Sequence, residues 1–176
     1  TFTLLISVLL SAQCTDVNVN NVTKKIYPKY NKPKHFVKLG RKKIERLIKK
    51  IGIFRVKAKS IFYLSKTLVN KHKGKVPRSY KELEELPGVG HKTASVVMSQ
   101  GFGFPAFPVD THIHRLAQRW GLTNGKSVEQ TEKDLKKIFP KKIWNKLHLQ
   151  IIWYGREYCK ARDCYGITCI ICRSCY

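Results

Sequence analysis

Apolar residues recur along this chain at helical spacing, and no stretch alternates in the two-residue period of a half-buried strand. The expected fold class is all-α. The run from Phe2 to Gln13 is apolar on nearly every side, which predicts a buried first helix at 2–13. Asp16 stands where it can cap a second helix, whose face carries Val19, Val22, Ile26 and Tyr30. Asn31-Lys32-Pro33 turns into a short helix ending at Gly40. Ile44, Leu47, Ile48 and Ile51 then form the i, i+3, i+4, i+7 stripe of another, with Gly52 at its C′ position. Ala58, Ile61, Leu64, Ser65 and Leu68 line the next, which ends near Gly74.

The stretch from Pro77 to Gly101 is built differently. Ser79 and Glu82 stand three apart as in a capping box, opening a helix to about Leu86 that Pro87 stops. Gly88 and Gly90 offer backbone conformations closed to other residues, and a second helix runs from His91 to Gln100. The unit expected over 79–101 is a helix-hairpin-helix. The Gly/Pro/aromatic run 101–109 is too constrained for a helix and too apolar for a solvated linker. It divides the chain into a helical lobe at 1–104 and a second at 105–176. There Asp110 or Thr111 caps a helix reaching Trp120, and Ser127 with Gln130 caps one reaching Phe139. Pro140 precedes a long helix through Ile143, Leu147, Ile151 and Tyr154.

Charge adds a partner to this picture. Thirty-five Lys and Arg against eleven Asp and Glu leave a net +24, and self-repulsion on that scale fits a protein that habitually meets a polyanion. The cations recur from Lys24 to Arg173 among apolar positions, as on a folded body with a charged face, which points to nucleic acid. A membrane surface fits less well, since no amphipathic segment carries an isolated cationic face. The apolar start is too short to span a bilayer, lacks a basic leading region, and has Gln13 where a signal peptide needs a small residue.

Glycines between two helices let backbone N–H groups approach a phosphate, a contact that positions DNA without reading its sequence. An ordinary helix-loop-helix turn would carry the same residues. Lys92 falls in the first turn of the second helix. As one of many cations it is a solvated charge; at a helix N-terminus, in a cleft beside other cations, it is a lysine whose lowered pKa leaves a nucleophilic amine. Asp110 is either a plain N-cap or a carboxylate that steadies positive charge developing on a sugar. His112 and His114, two apart, cannot share a helix face as paired ligands, and no chemistry is assigned to them.

The run Leu86-Pro87-Gly88-Val89-Gly90-His91-Lys92-Thr93-Ala94-Ser95, followed by Val109-Asp110-Thr111-His112-Ile113-His114-Arg115, resembles the endonuclease III family of helix-hairpin-helix DNA glycosylases. The similarity extends to Leu-Leu-Ser-Ala-Gln-Cys-Thr-Asp at 9–16, Ile-Gly-Ile-Phe-Arg-Val-Lys-Ala at 51–58 and Tyr-Gly-Arg-Glu-Tyr-Cys at 154–159. The resemblance implies a bifunctional, monomeric base-excision repair enzyme. It would remove oxidised pyrimidines from double-stranded DNA and cleave abasic sites by β-elimination through a lysine Schiff base. Lys92 matches the family's nucleophile and Asp110 its catalytic carboxylate. Gln13 matches the residue that fills the space of the flipped nucleotide, and Ile53 the wedge in the opposite strand. Leu86, Gly88, Val89, Gly90, His91 and Thr93 form the DNA-binding hairpin in this reading. The family's N-terminal helix is expected to be missing from a chain that begins inside an apolar run.

Five of the six cysteines lie between Cys159 and Cys175, a clustering that suits metal in a reducing setting better than a disulfide scaffold. The resemblance implies a [4Fe-4S] loop with gaps of six, two and five residues. Here Cys159, Cys164, Cys169, Cys172 and Cys175 leave gaps of four, four, two and two, so a cluster on four of the five, a zinc site, or no metal all stay open. Two other functions stay open as well. A monofunctional glycosylase of the mismatch-adenine type keeps the hairpin and aspartate but generally lacks the lysine, and a non-catalytic helix-hairpin-helix module explains the charge but not the pairing of Lys92 with Asp110. The expected location is the cytoplasm, at the nucleoid, with organelle targeting left open.

Overall fold

Every regular element among the residues that the computed structural model describes, 1–175, is helical, as the patterning predicts. Tyr176, the last residue of the expected second lobe, lies outside them. The helices gather into two units, Thr1–Phe102 and a second that begins at Gly103.

In the first unit, α1 (Phe2–Ser11) buries Phe2, Leu5, Ile6, Leu9 and Leu10. The cap of α2 (Asp16–Ile26) is Thr15, not Asp16: the Thr15 hydroxyl accepts the Asn18 N–H, while Asp16 sits in the first turn, where an acid suits the positive end of the dipole. In α3 (Pro33–Leu47) the chain breaks at Gly40, whose φ of 72° and ψ of 159° are not helical, so a kink joins two short helices. That helix ends at Ile48, which leaves Ile51 and Gly52 in the following loop rather than in a last turn and its C′ position. α4 (Phe54–Lys71) is the longest helix and places Ala58, Ile61, Leu64 and Leu68 in the core.

The hairpin joins α5 (Tyr80–Glu84) to α6 (His91–Val96), and α6 runs on through a π turn at Val97–Gly101. Ser79 occupies the N-cap of α5, but its hydroxyl makes no capping bond. In the second unit the connector lies against the core: Phe107 and Val109 are buried, and the Ala106 N–H donates to Asn145 Oδ1 at 2.9 Å. α7 (Thr111–Arg119) starts on Asp110, and α8 (Val128–Ile138) starts on Ser127, whose hydroxyl accepts the Gln130 N–H at 3.1 Å. A single 3-10 turn at Lys141–Ile143 leads into α9 (Trp144–Glu157), and α10 (Ile170–Ser174) closes the described chain.

Candidate active site

The hairpin between α5 and α6 is fixed from below. Leu86 and Val89 are 2% and 5% exposed, so their side chains anchor the turn in the core and only their backbone is left for a ligand. Gly88 is obligatory. Its φ is +82°, and an added Cβ would come within 2.8 Å of Ser60 Cβ. Gly90 is different from the expectation: it caps α6 in an extended conformation with φ −93°, which other residues adopt freely. What distinguishes it is space, since nothing lies within 4 Å of a Cβ placed there. A glycine in that position leaves the N–H groups at the start of α6 accessible from outside.

His91 folds back across the hairpin, its Nδ1 2.8 Å from Glu84 Oε1 and its ring stacked on Tyr80. It braces the two helices. Lys92 follows in the first turn of α6 and is exposed rather than sunk among other cations, and Thr93 is half-buried beside it. Asp110 is half-buried and serves as the N-cap of α7: one carboxylate oxygen, Oδ1, accepts the N–H groups of His112 and Ile113, both at 2.9 Å. Both of its sequence readings start from this geometry, because the capping bonds also fix where the carboxylate points. His114 bonds the Thr131 hydroxyl at 2.8 Å, joining α7 to α8.

Gln13 and Ile53 are both exposed, and both adopt left-handed backbone with φ of 53° and 50°. Ile53, at 53% exposure, is no core isoleucine.

The cysteine tail resolves the choice among five thiols. Cys159, Cys164, Cys169 and Cys172 are buried with their sulfurs all within 4.8 Å of one another, whereas Cys175 is exposed and outside the group. Cys14 belongs to the first unit. Burial opposes ionisation of Cys164, but hydrogen bonds from Thr168 and from the backbone N–H groups of Cys169 and Thr168 outweigh it and bring the thiol down to about 5. The Cys172 N–H and the Tyr154 hydroxyl bond Cys169. Such polar support is what converging thiolates need when a metal holds them. The separation of Cys159 and Cys172 sulfurs is 3.7 Å. Metal–sulfur bonds of about 2.3 Å put the corners of a tetrahedron ~3.8 Å apart. The four sulfurs converge closely enough to hold a metal ion or an iron–sulfur cluster.

Two residues that the sequence did not single out as structural tie this loop to α7. Arg115 Nη2 donates to the carbonyls of Gly155 and Cys159 at 3.1 and 2.8 Å. Arg119 Nη1 donates to Cys159 Sγ at 3.2 Å and to the Lys160 carbonyl, and its Nη2 to the Ala161 carbonyl. The helix that begins at Asp110 is thus seated at its other end by the cysteine loop.

An all-helical fold among the described residues, with a glycine hairpin opening onto a lysine and a buried thiol group packed on the aspartate-capped helix α7, defines a helix-hairpin-helix base-excision repair protein. Residues 6–141 match the model of the HhH-GPD superfamily base excision DNA repair protein. Endonuclease III of Bacillus subtilis is 45% identical over 163 residues, 92% of this chain and 74% of that protein, and that of Escherichia coli K12 is 45% identical over 170 residues, 97% and 81%. A trapped endonuclease III–DNA covalent intermediate superposes with a TM-score of 0.91 at 45% identity, covering 96% of this chain and 79% of that one. A non-covalent endonuclease III–DNA complex gives 0.92 at 44%, covering 97% and 80%. The chain belongs to the endonuclease III family.

Proposed function

We propose that Lys92 and Asp110 carry the glycosylase and abasic-site lyase reactions of this enzyme, acting on oxidised pyrimidines in duplex DNA. The amine of Lys92 attacks C1′ of an extruded nucleotide; the C1′–N bond breaks, and the damaged base leaves with the bonding pair and takes up a proton. The C1′–O4′ bond then opens to a Schiff base. Loss of a C2′ proton expels the 3′ phosphate by β-elimination, and water hydrolyses the imine to restore the lysine. Asp110, its Oδ1 fixed by two N–H bonds, offers its carboxylate to the sugar as it becomes cationic. Because Lys92 is exposed, it is the incoming DNA that strips its water.

The observation that carries this reading is a lysine in the first turn of α6, directly after a hairpin whose Gly90 leaves the helix N-terminus open. Backbone N–H groups of the hairpin take the phosphate, Gln13 fills the gap left by the extruded nucleotide, and Ile53 wedges the opposite strand. Extrusion costs a few kcal/mol, least for a damaged base. The mismatch-adenine reading and the non-catalytic module both leave Lys92 without a task. On a thymine-glycol duplex, Lys92→Ala should lose base release and strand cleavage together, by about 10³-fold or more, while still binding DNA. Base release at near wild-type rate without cleavage would instead support the monofunctional reading.

We further infer that the thiolate group of Cys159, Cys164, Cys169 and Cys172 holds a metal whose task is to seat α7 rather than to react. Four convergent, buried thiols are the donor set of an iron–sulfur cluster or of a single tetrahedral ion. Elemental and acid-labile sulfide analysis of anaerobically purified protein should find four irons with four sulfides for a cluster, or one zinc or iron without sulfide for a single ion. Absence of both metal and sulfide would overturn the reading of this loop as a metal site.

A further inference from the structure

Lys57, in the first turn of α4, is only 3% exposed, and its ammonium faces carbonyls rather than a carboxylate. Its Nζ donates to Leu10 O at 2.8 Å and to Ala12 O at 2.5 Å, forty-five residues away in the chain. The last carbonyls of a helix have no partner within it, and a cation there meets the negative end of the dipole. Many helices solve this with a left-handed glycine just past their end, at little cost. Here the left-handed residue after α1 is Gln13, and the end is held by a lysine whose burial pushes its pKa down. Removing an ammonium from water is a costly way to finish a helix.

The placement of the lysine gives it a second purpose. Ile53, immediately before α4, is the N-cap of the helix that carries Lys57, and it too is left-handed, a conformation unfavourable for a β-branched residue. Of the four described non-glycine residues with positive φ, namely Gln13, Ile53, Lys73 and Tyr165, the first two stand on adjoining loops. A Cβ at Gly52 would come within 3.3 Å of the Gln13 carbonyl. Strain of this kind persists only where the surroundings over-determine it. The ammonium on Ala12 and the close approach of Gly52 to Gln13 are those surroundings.

We propose that Lys57 is a positioning residue that locks the loops at 12–14 and 51–53 into one support, so that Gln13 and Ile53 enter the damaged duplex as a pair. This rests on the reading of Gln13 and Ile53 as the inserting residues. Without the ammonium both backbones relax, and the two side chains no longer address the same base pair. The consequence falls on extrusion from a stacked duplex, not on the chemistry of Lys92 with a sugar that needs no extrusion.

The test compares two rates for each variant: base release from a thymine-glycol duplex, and borohydride trapping on a single-stranded abasic oligonucleotide, which has no opposite strand to open. Lys57→Met, which keeps the length but removes the donors, should slow duplex excision by about tenfold or more. Trapping on the single strand should stay within about twofold of wild type. Lys57→Arg should recover most of the duplex rate. Gly52→Ala leaves the buried lysine untouched but presses on the Gln13 carbonyl, and should show the same split; it decides the matter if Lys57→Met does not fold. Adding Gln13→Ala to Lys57→Met should cost little beyond either alone. Equal loss of both rates, wild-type excision by Gly52→Ala, or fully additive losses would overturn the proposal. If Gln13→Ala and Ile53→Ala each leave duplex excision unchanged, the insertion reading itself fails and Lys57 loses its role with it.

Discussion

Gly88 and Gly90 look alike in sequence and are required for different reasons. At Gly88 a side chain has neither an allowed conformation nor room, so Gly88→Ala combines left-handed strain with overpacking against Ser60. It should lower unfolding stability by ~2 kcal/mol or more in urea titrations. Gly90→Ala should cost less than ~1 kcal/mol, the price of a poorer N-cap, yet weaken DNA binding, because the new methyl occupies the open space over the start of α6. Equal stability losses at the two positions would show that Gly90 is also a conformational requirement. Lys92 and Asp110 stood out only through the family resemblance, while residue types and spacing made the hairpin legible in the sequence. They did not distinguish conformation from access at the glycines, nor reveal Lys57, because a buried lysine reads like any other in a chain of 35 cations.

Helix periodicity gave the elements because burial on one face sets the pattern; caps were less legible, since neighbouring Thr15 and Asp16 can both serve and only the backbone decides. The cysteine loop was less legible still. Its ligand group depends on how the loop closes, which brings Cys164 in and leaves Cys175 out. Arg115 and Arg119, both pointed inward from α7, had no sequence signature beyond their charge. Within the same unit, α9 contributes His148, 1% exposed, whose burial holds its pKa below the ordinary 6.5. The folded state thus disfavours the imidazolium, and the unfolded chain takes up the proton more readily. The stability that neutral His148 permits is full above about pH 6.5 and is lost as pH falls below that value towards its own depressed one. Denaturant titrations at pH 5.5 and 7.5 should show a smaller acid loss for His148→Gln than for wild type. An equal loss in both would remove His148 as a source of acid sensitivity.

At the scale of the whole molecule, the excess of 35 cations over 11 anions makes phosphate the principal partner. Affinity for undamaged duplex should fall by about 10³-fold or more between 50 and 200 mM salt, measured by fluorescence anisotropy. A flat response would argue against a phosphate-dominated interface. In the proposed reading the charge sets how the enzyme finds DNA, and the hairpin sets how it sits there. The reaction itself depends on one amine. Incubation with a thymine-glycol duplex and borohydride, followed by proteolysis and mass spectrometry, tests that point directly. A covalent adduct on the peptide containing Lys92, absent from Lys92→Ala, is the predicted result. An adduct on another lysine, or none from folded and DNA-binding protein, would contradict the assignment of Lys92 as the nucleophile.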